Sequence, residues 1–297
     1  MVTVGLLIVT AIWGLTFVTV QSAVADYSAF SFLTLRFALA ALALLPFSAN
    51  RIGKKELFVG VPVGATLGLG MLLQTVGLRS TTATNSGFIT SLYVVFAPII
   101  SALCFRSRFH PRIWVAVILS TIGLFLVSKA GLYGVNPGDA LTLGCAVLFG
   151  IQIALLSRYS PGLDSAALAF IQTVTSVFMY LPVVFLTRTP LITNDLDVWL
   201  ALLITGLGAS AFGFWMQTYA QQRMSAARAA VIMAMEPVFA AIGGYTFAGD
   251  RMTILQWFGA AFMMAGLFVA EILPYLKHRV SMSQRLGETL SEKDLSA

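Results

Sequence analysis

The sequence predicts an all-α membrane protein whose ten transmembrane helices form two inverted five-helix repeats. Three observations predict this fold: a composition that water cannot solvate, a succession of apolar stretches of membrane-spanning length, and a self-similarity between the two halves of the chain. Of 297 residues, 58% are apolar and 10% charged, with a mean hydropathy of +0.89. A soluble domain carries about a quarter charged residues, so soluble enzymes, nucleic-acid modules and secreted disulfide scaffolds are excluded. The net charge of +6 then reads as orientation in a bilayer rather than as nucleic-acid binding. Cys104 and Cys145 lie within apolar runs and read as small buried hydrophobes. Neither a metal site nor a cofactor is expected.

A helix needs about 20 apolar residues to cross a hydrocarbon core of about 30 Å. Such stretches lie near 3–23, 29–48, 57–78, 82–105, 112–130, 138–157, 165–187, 197–219, 227–248 and 253–275. They are continuously apolar and lack the alternation of barrel strands, which selects helices. The first cation is Arg36, so no basic segment marks the first stretch as a cleaved signal. With a cytoplasmic N-terminus, Arg51, Lys54, Lys55, Arg106, Arg108, Arg112, Arg158, Arg223, Arg228, Lys277, Arg279, Arg285 and Lys293 all face the cytoplasm. Only Arg79, Lys129, Arg188 and Arg251 face outward, and Arg36 lies within a span. The expectation is a multi-pass protein of the bacterial cell inner membrane with both termini cytoplasmic. Residues 277–297 read as a polar, solvated tail.

The chain also repeats itself. At an offset of 143, Gly70 meets Gly213, Gln74 meets Gln217, Thr75 meets Thr218, Trp114 meets Trp257, and Gly123-Leu124-Phe125 meets Gly266-Leu267-Phe268. At an offset of 136, Gly14 meets Gly150 and Leu45-Pro46 meets Leu181-Pro182. This divides the chain into a first repeat, 1–136, and a second, 137–276, with the seven-residue difference in the connection between spans seven and eight. Five spans are an odd number, so the second copy enters the membrane from the opposite side, an arrangement suited to alternating access.

Four motifs stand out: Ile12-Trp13-Gly14-Leu15-Thr16-Phe17, Leu35-Arg36-Phe37, Glu236-Pro237-Val238-Phe239 and Gly249-Asp250-Arg251, with Gly259 through Gly266 following. With ten spans in two fives, they resemble the EamA-type families of the drug/metabolite transporter superfamily, and within them the YddG-type amino-acid exporters of bacteria. The resemblance covers residues 1 to 276. It implies a secondary carrier that exports neutral amino acids, aromatic and other apolar ones, by alternating access. The first repeat departs from the second in having Tyr93-Val94 opposite Glu236-Pro237 and Arg106-Ser107 opposite Gly249-Asp250.

Polar groups in lipid cost several kcal/mol unless satisfied, so those within spans are expected to face a cavity or a partner. Glu236 reads either as a proton or ammonium site, or as a buried acid kept neutral or paired with Arg36. Arg36 reads as a structural ionisable group, because its helix carries no other polar residue on that face. Gln74, Gln217 and Gln152 carry amides that both donate and accept, which suits an amino acid but also suits interhelical bonding. Trp13 and Phe17, and Trp215 and Tyr219, share helix faces at i, i+4. With Tyr93 and Phe149 they are candidates for an aromatic cavity wall, and equally for core packing. Met233 and Met235 add an adaptable surface.

An enzyme is not expected: His110 and His278 lie in a loop and the tail, so no base stands near an intramembrane nucleophile. An exporter of drugs or other small metabolites remains the rival carrier, and a non-transporting membrane sensor the rival from another class. Partners are small-molecule substrates and lipid; the oligomeric state is not set by the sequence. The charge distribution makes a testable prediction. In a chain with Cys104 and Cys145 replaced by Ala, Lys54→Cys should react with a membrane-impermeant maleimide only from the cytoplasmic side, and Thr189→Cys only from the outside.

Overall fold

The computed structural model describes residues 2–106, 111–127, 136–249, 251 and 253–269. The polar tail and the end of the tenth stretch lie outside them, as do Arg108, His110, Lys129, Asp250 and the cations from Lys277 onward. Among the described residues all regular structure is helical. The helices are α1 (Val2–Asp26), α2 (Ala29–Ser48), α3 (Lys54–Gly77), α4 (Ala83–Thr90), α5 (Tyr93–Phe105), α6 (Pro111–Val127), α7 (Pro137–Tyr159) and α8 (Ser165–Thr187). There follow α9 (Leu196–Leu203), a π-helical stretch (Ile204–Phe212), α10 (Gly213–Gln221), α11 (Ala226–Met233), α12 (Glu236–Phe247) and α13 (Ile254–Leu267).

Seven helical segments among the described residues are long and apolar enough to cross a membrane: 2–26, 29–51, 54–77, 83–105, 137–159, 165–187 and 196–221. Trp114–Gly123 and Ile254–Gly266 are shorter apolar helices. The expected ninth stretch, 227–248, is not one helix: it is broken between α11 and α12, and the fourth is broken at the equivalent place, between α4 and α5. The break has a local cause in each copy. Pro237 has no N–H to offer the carbonyl one turn back, and Met235 and Val238 instead donate to Ile232 and Met235, three residues behind them. In the first copy Leu92, Val94 and Val95 likewise donate to Ile89, Ser91 and Leu92, while Ser91 Oγ bonds the Phe88 carbonyl at 2.6 Å.

Helix starts follow from capping side chains. Ser28, Thr82, Asn136, Asp164, Asp195 and Thr253 each accept a backbone N–H of the first turn. The structure carries both sequence offsets. Shifted by 143, α4 falls on α11 residue for residue, and the caps Thr82 and Ser225 accept from Asn85 and Arg228. Arg79 donates to the carbonyls of Val24 and Tyr27, and Gln222, its equivalent, donates to those of Ser160 and Leu163, which lie 136 residues on. Arg106 and Gly249 close α5 and α12 with left-handed backbone (φ 51° and 70°), a conformation that costs glycine nothing.

The helices cross between the two halves. α1 packs on α12, and α7 packs on α5. At both crossings a glycine faces backbone: a Cβ on Gly14 would lie 2.5 Å from the Phe239 Cβ, and one on Gly150 would lie 2.6 Å from that of Phe96, the residue equivalent to Phe239. In α3, Gly60, Gly64 and Gly68 admit α8, whose Ile171, Gln172 and Ser176 lie against them. Tyr180 donates to the Gly68 carbonyl there. The buried core between these helices is led by Phe32, Phe37, Leu67, Tyr180 and Phe214. Gly150→Val is therefore expected to lower the thermal midpoint in detergent by about 5–10 °C, reflecting about 2–3 kcal/mol of overpacking. Gly208→Ala, whose added carbon meets Ile12 at an ordinary 3.8 Å, should leave the midpoint unchanged.

Candidate functional site

A central cavity lies between the helices, with about 580 Å³ of space counted together with its opening to solvent. Trp13, Phe17, Gln74, Tyr93, Phe149, Gln152, Gln217 and Glu236 line it, as does Arg36. Phe214, Met71, Met233 and Ile153, with Val20, Leu67 and Leu78, complete the wall. The lining pairs off between the two halves. Gln74 and Gln217, Met71 and Phe214, and Tyr93 and Glu236 are equivalents at 143; Trp13 and Phe149, and Phe17 and Ile153, are equivalents at 136.

Three of the aromatic and sulfur side chains expected in the cavity lie elsewhere. Trp215 and Tyr219 are half-buried, their rings tilted against each other with centres 6.0 Å apart, Trp215 also tilted against Phe212, and the Arg223 guanidinium lies 3.5 Å from the Tyr219 ring centre. The i, i+4 pairing is real, but the helix is rotated so that Phe214, one residue before Trp215, and Gln217, midway between Trp215 and Tyr219, face inward. Met235 sits in the turn of the broken helix, and Met233, the last residue of α11, lines the cavity in its place. The sequence reading missed Phe214, Gln172 and Ser210. Gln172 stands at offset 136 from Arg36, so the repeat register was the signal that pointed to it.

The polar groups differ in how much bonding capacity they have left. Gln152 and Gln217 donate to each other's carbonyl oxygens at 3.3 and 3.2 Å. Gln152 also donates to Gln172 at 3.2 Å, and Gln217 to the Met233 sulfur at 3.7 Å. These two amides are largely spent on joining α7, α8, α10 and α11. Among the described residues Gln74 makes one side-chain bond, Nε2 to Thr90 Oγ1 at 2.9 Å, leaving an N–H and its carbonyl oxygen for the cavity. Trp13 Nε1 donates to the Ala209 carbonyl at 2.7 Å, which fixes the indole beside Phe214, 5.8 Å between ring centres.

Glu236 and Arg36 are both buried, 5% and 4% exposed, and do not pair with each other. Among the described residues the ion pair within 4 Å is Arg51 with Asp164, in the two connections α2–α3 and α7–α8. Glu236 instead accepts a bond from its own repeat equivalent, Tyr93 Oη to Oε2 at 3.0 Å. It opens α12, where the positive end of the helix dipole favours an anion. Arg36 Nε donates to Ser210 Oγ at 2.8 Å, within the π-helical stretch. Among the described residues no group of three or more His, Cys, Asp or Glu gathers to hold a metal ion.

Apolar helices that enclose an aromatic, sparsely polar cavity define a multi-pass membrane transporter. The chain belongs to the EamA-like transporter family, whose model matches it twice, over residues 2–129 and 136–271. An uncharacterized transporter of Archaeoglobus fulgidus is 38% identical over 268 residues, covering 90% of this chain and 85% of that one. A probable amino-acid metabolite efflux pump of Salmonella typhimurium is 23% identical over 276 residues, covering 89% and 92%. A solved crystal structure superposes with a TM-score of 0.72 at 16% identity over 92% of this chain, a likeness of fold alone.

The Tyr93–Glu236 bond gives a prediction. In a thermal-unfolding cycle of Tyr93→Phe, Glu236→Gln and the double variant, the two sites should couple by about 1 kcal/mol or more. Strict additivity would show the bond to be absent in the membrane protein.

Proposed function

We propose that the chain is an inner-membrane secondary carrier that exports neutral amino acids, chiefly aromatic and other apolar ones, by alternating access. Its ten spans form two inverted five-helix units, residues 1–136 and 137–276, with both termini cytoplasmic. The observation that carries this reading is the pairing of equivalent residues around one cavity. A site built from both copies of an inverted repeat opens to either face by similar rearrangements. Trp13, Phe17, Phe149 and Phe214 offer flat apolar surfaces to a side chain. Gln74 and Glu236 keep hydrogen-bonding capacity beside them, enough to hold an amino group. The Salmonella typhimurium relative, a probable amino-acid metabolite efflux pump, supports the same substrate class.

In the mechanism this implies, substrate enters between the aromatic walls and the two halves rock about the crossings at Gly14 and Gly150. The polar lining is exposed to one side at a time. Glu236 is the group that exchanges a proton or meets the substrate ammonium, and Tyr93 holds one of its oxygens in either case. Purified protein in liposomes loaded with unlabelled phenylalanine should take up labelled phenylalanine by counterflow. Failure to exchange any amino acid, with exchange of another small metabolite, would instead favour the general exporter. An imposed pH gradient should drive wild-type flux and leave Glu236→Gln flux unchanged. An equal response of both proteins would remove Glu236 as the coupling site.

A further inference from the structure

Arg36 differs from the other cations of the chain in where its charge ends. It sits within α2, 4% exposed, on the cavity wall and with no carboxylate within 4 Å among the described residues. A guanidinium has five N–H donors. One of them, on Nε, is held by Ser210, and the four terminal N–H groups have no protein acceptor among the described residues. A buried cation with no counter-ion is costly to keep, and such a residue within a span marks a ligand path by default. Its repeat equivalent, Gln172, is neutral, lies off the cavity wall, and spends its amide on Leu168, Thr218 and Gln152.

A second, independent departure from the repeat lies opposite. The stretch Ile204–Phe212 is π-helical, whereas its equivalent within α3 is regular α-helix. π-Helical insertions are rare and gather at functional sites. Here the stretch approaches α2 at Gly206, where an added Cβ would lie 3.2 Å from the Arg36 carbonyl oxygen, and it presents Ser210 one turn later to Nε.

We propose that Arg36, oriented by Ser210, is a carboxylate-binding subsite of the cavity, so that the carrier selects solutes with a free carboxylate on an apolar body. This deepens the reading of the cavity as the substrate site and rests on it. With Nε tied to Ser210, the terminal edge of the guanidinium offers two parallel donors, the geometry that takes a carboxylate bidentately. Trp13 and Phe214 supply the apolar surface for the rest of the molecule. Glu236, which also lines the cavity with Oε1 unbonded among the described residues, meets the ammonium of a zwitterion. A cationic solute without a carboxylate leaves Arg36 buried and unneutralised, and is disfavoured for that reason.

The test uses the purified full chain and two readouts: quenching of intrinsic tryptophan fluorescence for binding, and counterflow in liposomes for transport. The probes are phenylalanine, phenylalaninamide, 3-phenylpropionate and phenethylamine. Phenylalanine and 3-phenylpropionate should bind at least about tenfold more tightly than the amide and the amine. Arg36→Lys should keep that preference in weakened form, and Arg36→Gln should erase it. A purely structural arginine would lower the thermal midpoint on substitution and leave the acid-to-amide ratio untouched. Equal binding of acid and amide by the wild type overturns the subsite, whatever the flux. Carboxylate-selective binding without counterflow of any amino acid supports the subsite and overturns the amino-acid reading. Should Arg36→Gln fail to fold, the wild-type ratio and Arg36→Lys decide the matter.

Discussion

Hydrocarbon offers no hydrogen bonds, so every backbone N–H and carbonyl inside a bilayer must be satisfied by the protein. That constraint governs each departure from regular helix in this molecule. The breaks before Tyr93 and Glu236 exchange bonds to the fourth residue back for bonds to the third, and both stand on the wall of a cavity. The π-helical stretch turns one face into the bundle, where Ala209 gives its carbonyl to Trp13 and Ser210 its oxygen to Arg36, while Ile204, Leu207 and Phe212 are exposed on the other. Irregular backbone and functional polarity thus occupy one place because lipid excludes both from anywhere else.

The same constraint explains what could be read from the sequence. Apolar length and charge placement are direct consequences of the bilayer, so the described segments 29–51 and 165–187 fall close to the stretches predicted for them. The offsets of 143 and 136 were legible because Trp, Gln and Gly match in one register, which chance sharing of common apolar residues does not explain, and capping bonds, helix bounds and glycine crossings all carry them. Helix phase was not legible. Trp215–Tyr219 and Phe214–Gln217 are both plausible inner faces of α10, and only packing against α1 and α8 selects the second. The first-copy break was hidden because Pro98 lies well past it, and its turn is stabilised by Ser91, a residue equally at home within a helix. The partner of Arg36 was not legible either, because Ser210 stands 174 residues away in the sequence.

Between the two copies, polarity is distributed unevenly. Gln152, Gln172 and Gln217 form one interlocked amide cluster in the second half, whereas among the described residues Gln74, in the first, holds Thr90 alone. In the alternating-access reading proposed above, a symmetric scaffold with an asymmetric lining would reconcile two needs: similar energies for opening to either side, and a fixed polarity for a substrate with unlike ends. The equivalent crossings at Gly14 and Gly150 would serve the first. The second comes from the few positions where the repeats differ.

The bond between Tyr93 and Glu236 spans 143 residues, the repeat offset itself. Residues related by a twofold axis can touch only beside that axis, so in the proposed inverted arrangement this bond marks it. A carrier assembled from two identical half-length chains would have to place the same side chain on both sides. Two glutamates would face each other as like charges, and two tyrosines would leave no titratable carboxyl at that point. An unlike pair at the centre requires two halves that differ in sequence, and here Tyr93 and Glu236 supply the hydroxyl donor and the carboxyl acceptor from the two copies.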